Sequence, residues 1–214
     1  MHGRHGPVTG RRALVTASGL TGLVAAVLIA VSALAPSSSS SQPPGDDSAD
    51  AGFARDMAVH HQQAVEMSLI VRDRTDDEEV RLLAYDILNT QANQRGMMLG
   101  WLEMWDLPKS TNEPMRWMAG HGHGTAGGAD AGGGAMPGMA SDEALAALRS
   151  AEGRDAEIRY LELMTVHHQG GVEMAEAAVA RADTEEITRL AAGMVDAQES
   201  EIALMADLLD ERGA

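Results

Sequence analysis

Apolar residues fall at helical spacing from Ala51 to about Trp105, a stretch without proline. The pattern breaks between Asp106 and Ala140, where Pro108, Pro114, Pro137 and a glycine-rich run predict a long loop. A short helical turn is expected within it, around Met115 to Met118. Helical spacing resumes at Ser141, an N-cap residue followed by Asp142 and Glu143. Gly153 interrupts it. Long helices are then predicted over Asp155 to about Ala182 and over Thr184 to Glu211, the last with Glu185 and Glu186 in its first turn. No segment alternates as a strand would, so the fold class is all-α.

The pattern repeats. Residues 107 positions apart match, as between His60 and His167. Phe53 meets Tyr160, Val59 meets Val166, and His60-His61-Gln62 meets His167-His168-Gln169. Val65-Glu66-Met67 meets Val172-Glu173-Met174, Gln91 meets Gln198, and Met98 meets Met205. Each unit reads as a helix, a short turn and a second helix. One helical hairpin cannot bury its apolar stripe, but two can bury each other's, which predicts a four-helix bundle with pseudo-twofold symmetry. Duplication and packing account for the Leu, Val and Ala positions. They do not account for the histidines.

Ahead of the repeats, no charged residue occurs from Ala13 to Ala35, and Arg4, Arg11 and Arg12 precede that run. It is long enough to cross a bilayer, which takes about 20 apolar residues. It reads as a membrane anchor or a signal segment, for which Ala33-Leu34-Ala35 is a small-x-small cleavage pattern. Pro36 and the length of the run favour the anchor. Either way, basic residues before the run place the C-terminal part of the chain outside the cytoplasm. The chain thus divides into a basic N-terminus (1–12), a transmembrane or signal segment (13–35), a Ser/Pro/Gly/Asp-rich flexible linker (36–50), a first hairpin (51–105), a Gly/Met/His-rich loop (106–140), and a short helix with a second hairpin (141–214).

Charge and cysteine content narrow the chemistry. All 32 acidic residues lie beyond residue 45 with only 13 basic ones, a net −19 that repels nucleic acid and attracts cations. There is no Cys, which removes disulfides and thiolate metal sites.

Met57–Met67 reads MAVHHQQAVEM and Met164–Met174 reads MTVHHQGGVEM. At about 100° per residue, Met57, His60, His61 and Met67 share one helix face. Met164, His167, His168 and Met174 do the same. Ala64 and Gly171 lie between them. Gly170 and Gly171 each cost roughly 1 kcal/mol against Ala in a helix, so close approach by a neighbour or room for a bound group should offset them. Imidazole with thioether and no thiolate suits copper, Cu(I) above Cu(II), with other transition metals also compatible. Core packing is the competing reading, because Met is a common core filler and the chain has 14 Met against one Phe. On the second helices, Gln91 and Gln94, and likewise Gln198 and Glu201, are placed to orient the imidazoles or to form a buried network. In the loop, His121, His123, Met136 and Met139, with Met115 and Met118 upstream, form a softer ligand set or a plain connector.

An aromatic residue, M-x-x-H-H-x-x-x-x-x-M, and a second helix with Q-x-x-[EQ]-x-x-x-M together resemble the domain-of-unknown-function 305 family, over roughly Gly52 to Glu211. The resemblance implies a ferritin-like four-helix bundle, usually exported, with copper-binding relatives. It makes His60, His61, Met67, His167, His168 and Met174 the matching ligand positions. Glu201 stands where the first unit has Gln94, so the two halves differ. The function expected is extracytoplasmic capture, storage or delivery of copper, without turnover. A structural module with core histidines is the alternative. A di-iron enzyme is disfavoured because no Glu lies three residues before any motif histidine. The partners expected are a metal ion and the membrane, through the N-terminal helix, and no nucleic acid. Self-association into a homo-oligomer stays open.

Overall fold

The computed structural model describes residues 42–119 and 136–214. The N-terminal membrane or signal segment, His121 and His123 lie outside the described residues. Within them there is no strand, and no helix is long and apolar enough to cross a membrane. Helix α1 spans Ala49–Arg72, α2 Glu78–Met104, α3 Asp142–Ser150, α4 Gly153–Arg181 and α5 Glu185–Glu211, with one 3-10 turn at Arg116–Met118.

Short polar side chains start four of these helices. Ser48, Asp77, Ser141 and Thr184 accept the backbone N–H of Ala51, Val80, Ala144 and Ile187 respectively, satisfying donors that have no partner inside the helix. Helix α4 has no side-chain cap. It opens at Gly153 in the left-handed region (φ 54°), and the Gly153 N–H donates to the Arg74 carbonyl at 2.7 Å. The predicted break at Gly153 is therefore the first residue of the long helix, tied back to the turn of the first hairpin.

Helix α1 packs along α2, and α4 along α5. The two hairpins meet through α1 and α4, with α3 lying against both. Reciprocal contacts lock each hairpin to the turn of the other. Asp50 in α1 accepts from Thr184 N (2.9 Å), Thr184 Oγ1 (2.6 Å) and Asp183 N (3.1 Å) at the α4–α5 turn. Its repeat counterpart Glu157 in α4 accepts from Thr75 Oγ1 at the α1–α2 turn and from Arg212 Nε at 2.8 Å. Arg212 also pairs with Asp77 at 3.0 Å. The segment expected to be linker up to Asp50 is thus part of the folded unit in its last residues: Asp46 pairs with Arg55, Ser48 caps α1, and Asp50 is buried.

The apolar interior forms two clusters. One gathers Met67, Val71, Leu83, Ile87, Leu148, Tyr160, Met164 and Met205. The other gathers Phe53, Met57, Met98, Leu102, Met174, Ile187 and Met194. Each takes side chains from both hairpins. Along α1 and α4, the paired histidines fall between them. Trp117 closes the second cluster: its ring meets Phe53 edge-on at 5.8 Å, and its Nε1 donates to Asp56 at 2.9 Å. Gly52 permits this approach, since a Cβ there would lie 2.5 Å from the indole.

Candidate metal centre

Antiparallel packing of α1 on α4 brings the two copies of the motif together at mid-helix. His60, His61, His167 and His168 are all fully buried. The His60 and His167 rings lie 3.8 Å apart, tilted by 33°. His61 sits 6.5 Å from His60, and His168 6.3 Å from His167, between ring centres. The four methionines are buried too, but they divide. Met67 and Met164 lie in one apolar cluster, and Met57 and Met174 in the other. The histidines thus form a layer with one thioether from each motif in the cluster on either side.

Every imidazole in the layer is held through Nε2. His60 Nε2 donates to the Pro137 carbonyl (2.9 Å) and His167 Nε2 to the His60 carbonyl (3.1 Å). His61 Nε2 donates to Gln94 Oε1 (2.8 Å) and His168 Nε2 to Glu201 Oε2 (2.7 Å). Because each partner is an oxygen acceptor, each ring carries its proton on Nε2, and Nδ1 keeps a free lone pair. All four Nδ1 atoms are buried and have no hydrogen-bond partner. The Oε1 atoms of Gln91 and Gln198 are in the same condition. These six are all the buried side-chain N and O atoms without a partner among the described residues.

Burial keeps His60, His61 and His167 neutral. It pushes His60 down to about 4 from 6.5, partly countered by the bond to Pro137. His61 falls to about 3, again chiefly through burial and then through charge on His60. His167 is lowered well below its ordinary value by burial, with the neighbouring imidazoles adding to it. Neutral imidazole is the form that binds a metal.

The adjacent glycines admit two different neighbours. A Cβ on Gly170 would lie 2.2 Å from the Pro137 carbonyl oxygen, so Gly170 lets the Met136–Ala140 strap reach His60. A Cβ on Gly171 would lie 2.3 Å from Gln198 Oε1, so Gly171 makes space for that amide. Gln63 fastens the strap, donating to the Ala140 carbonyl at 2.9 Å and accepting from Ala140 N at 2.7 Å. Gly138 turns it in the left-handed region (φ 74°).

Sequence reasoning missed the parts played by Pro137 and Gln63. The Met136-Pro137-Gly138-Met139 run reads as soft ligands or as a plain connector, and its contact with the histidines is a backbone carbonyl. Met115, Met118 and Met136 pack against the second apolar cluster. Among the described residues, no three His, Asp or Glu side chains converge on one point. An ion held in this layer would draw part of its shell from thioether or amide groups. The donor set of buried imidazoles beside thioethers fits copper.

The profile of a domain of unknown function (DUF305) matches residues 50–209. A solved DUF305 protein from Streptomyces coelicolor, described as secreted, is 60% identical, with 79% of this chain and 97% of that chain covered and a TM-score of 0.72. A DUF305 fragment from Deinococcus radiodurans is 29% identical over 76% of this chain and 96% of its own, with a TM-score of 0.62. CopM in its Cu(I)-bound form is 21% identical, covering 76% of this chain and 96% of that one at a TM-score of 0.57, and CopM is also solved in Cu(II)-bound, Ag-bound and apo forms. No curated protein matches.

Proposed function

The chain belongs to the domain-of-unknown-function 305 family, and on that premise we propose that it captures, stores or delivers copper outside the cytoplasm. His60, His61, His167 and His168 supply imidazole nitrogen, and Met57, Met67, Met164 and Met174 supply thioether sulfur. One observation carries the reading: four of the six orphaned buried acceptors among the described residues are the Nδ1 atoms of the histidine layer. A buried polar atom without a partner costs about 1–3 kcal/mol, and a run of them in one layer calls for a common partner. A soft cation accepts lone pairs from imidazole and thioether and needs no donated hydrogen bond. CopM, a relative of the same fold, is solved with copper and silver, in keeping with this chemistry.

The reading is of a binding protein, with no turnover. The bundle is taken as ferritin-like in arrangement only, since the Glu-x-x-His pattern of di-iron sites does not occur at the motif histidines. The N-terminal 35 residues carry the domain across the membrane. The relative described as secreted supports cleavage there over the anchor that Pro36 and segment length favoured. N-terminal sequencing of the exported protein distinguishes the two: a start beyond residue 35 means cleavage.

Anaerobic titration with Cu(I), alongside Cu(II), Zn(II) and Fe(II), tests the function. His60→Ala with His61→Ala, and separately His167→Ala with His168→Ala, test the site. With both halves in one region, either pair of changes abolishes tight binding. Retention of one intact site after each would make the halves independent. A wild-type protein that takes up no copper leaves the histidines as core residues and removes the proposal.

A further inference from the structure

His61 and His168 occupy matching places in the two hairpins, and matching places on the second helices hold them. The bonds are nearly equal in length, 2.8 Å to Gln94 and 2.7 Å to Glu201. Both histidines are fully buried, while Gln94 and Glu201 are part-exposed. The molecule thus contains its own control. The neutral amide of Gln94 shows that fixing the ring and its tautomer requires no charge. What Glu201 adds is a negative charge, held against a buried imidazole. Its side chain is only 23% exposed, so solvent screens it incompletely, and among the described residues no Arg or Lys pairs with it.

We propose that Glu201 is a positioning residue that sets the oxidation-state preference of the site, raising its affinity for Cu(II) relative to Cu(I). This rests on the copper-binding reading above. A fixed negative charge attracts a divalent ion twice as strongly as a monovalent one at the same distance. A carboxylate on the far nitrogen also makes imidazole a stronger donor, which favours the more highly charged ion. Thioethers and neutral imidazoles alone favour Cu(I). Glu201 therefore pulls one end of a soft site toward Cu(II), and Gln94 leaves the other end neutral.

The test uses the full chain carrying Glu201→Gln or, separately, Gln94→Glu. Affinity is measured by competition with chromophoric chelators, for Cu(I) without oxygen and for Cu(II), and the potential of bound copper is measured by voltammetry. Glu201→Gln should weaken Cu(II) by about tenfold or more and Cu(I) by less. The potential should rise by about 59 mV for each tenfold change in the ratio. Gln94→Glu should move the ratio and the potential the other way, and it keeps the test available if Glu201→Gln folds poorly. A wild-type protein that binds both ions, with variants that leave the ratio unmoved, overturns this inference and leaves the copper reading intact. A wild-type protein that binds neither ion overturns both.

Discussion

Gly170 sits in the middle of α4, where glycine is disfavoured by about 1 kcal/mol against alanine. The close approach of the Pro137 carbonyl accounts for it. Gly170→Ala should destabilise the protein by about 1–3 kcal/mol, since the strap must move. Gly100, on the exposed side of α2, has nothing within 4 Å of an added Cβ. Gly100→Ala should stabilise by about 0.5–1 kcal/mol through helix propensity alone. Urea unfolding of the two variants gives opposite signs on this account, and equal signs would show that the strap does not press on α4. The buried histidines also fix how stability varies with pH. Unfolded, His60 and His61 take up protons below about 6.5; folded, they stay neutral until about 4 and about 3. The unfolded state binds more protons between those limits, so stability is lost as pH falls from about 6.5, by about 1.4 kcal/mol per unit for each ring. In metal-free protein, His61→Gln should flatten the slope by about that amount. Unfolding at several pH values in this window measures it, and an unchanged slope would mean that folded His61 is already protonated.

Between elements, the reciprocal Asp50 and Glu157 contacts do what two hairpins packed by apolar stripes alone would not: they fix which turn lies beside which helix start. Asp50→Ala leaves three donors at the α4–α5 turn without their partner and should cost about 1–3 kcal/mol. Glu157→Ala strips one partner from Arg212, which is 8% exposed, and should cost at least as much. Denaturant midpoints report both, and losses near zero would make the turns self-sufficient. These contacts also mark where sequence reading stops. Helix periodicity and Ser141 as a cap were legible because spacing and capping act within a few residues. Asp50 reads as linker because its neighbours are Ser, Pro, Gly and Asp, while its partner Thr184 lies 134 residues away. The shared face of His60, His61, Met57 and Met67 was legible from angle alone. The parting of its methionines into separate clusters depends on the antiparallel crossing of α1 and α4. The bond from His60 to Pro137 uses a backbone carbonyl, a group every residue carries and no motif identifies.

For the molecule as a whole, the two hairpins form one folding unit despite the repeat. Both apolar clusters draw on both hairpins, each turn is clamped from the other side, and His167 donates to the backbone of His60. A repeat that cannot bury its own stripe has little stability alone. Residues 42–119, expressed by themselves, should therefore show weak helicity and no cooperative melting. Residues 136–214 should behave alike. Mixed in equal amounts, the two pieces should regain helix signal and a sigmoidal melt, because both apolar clusters are completed when the hairpins meet. The regained complex should also take up copper, and neither piece should do so tightly, since the proposed ligands come half from α1 and half from α4. A sharp, fully helical melt of residues 42–119 alone would make the hairpins independent domains. Tight copper uptake by that piece alone would place a complete site within one motif. Without either result, the duplication stands as the means by which one set of paired histidines is brought against its own copy in a buried interior.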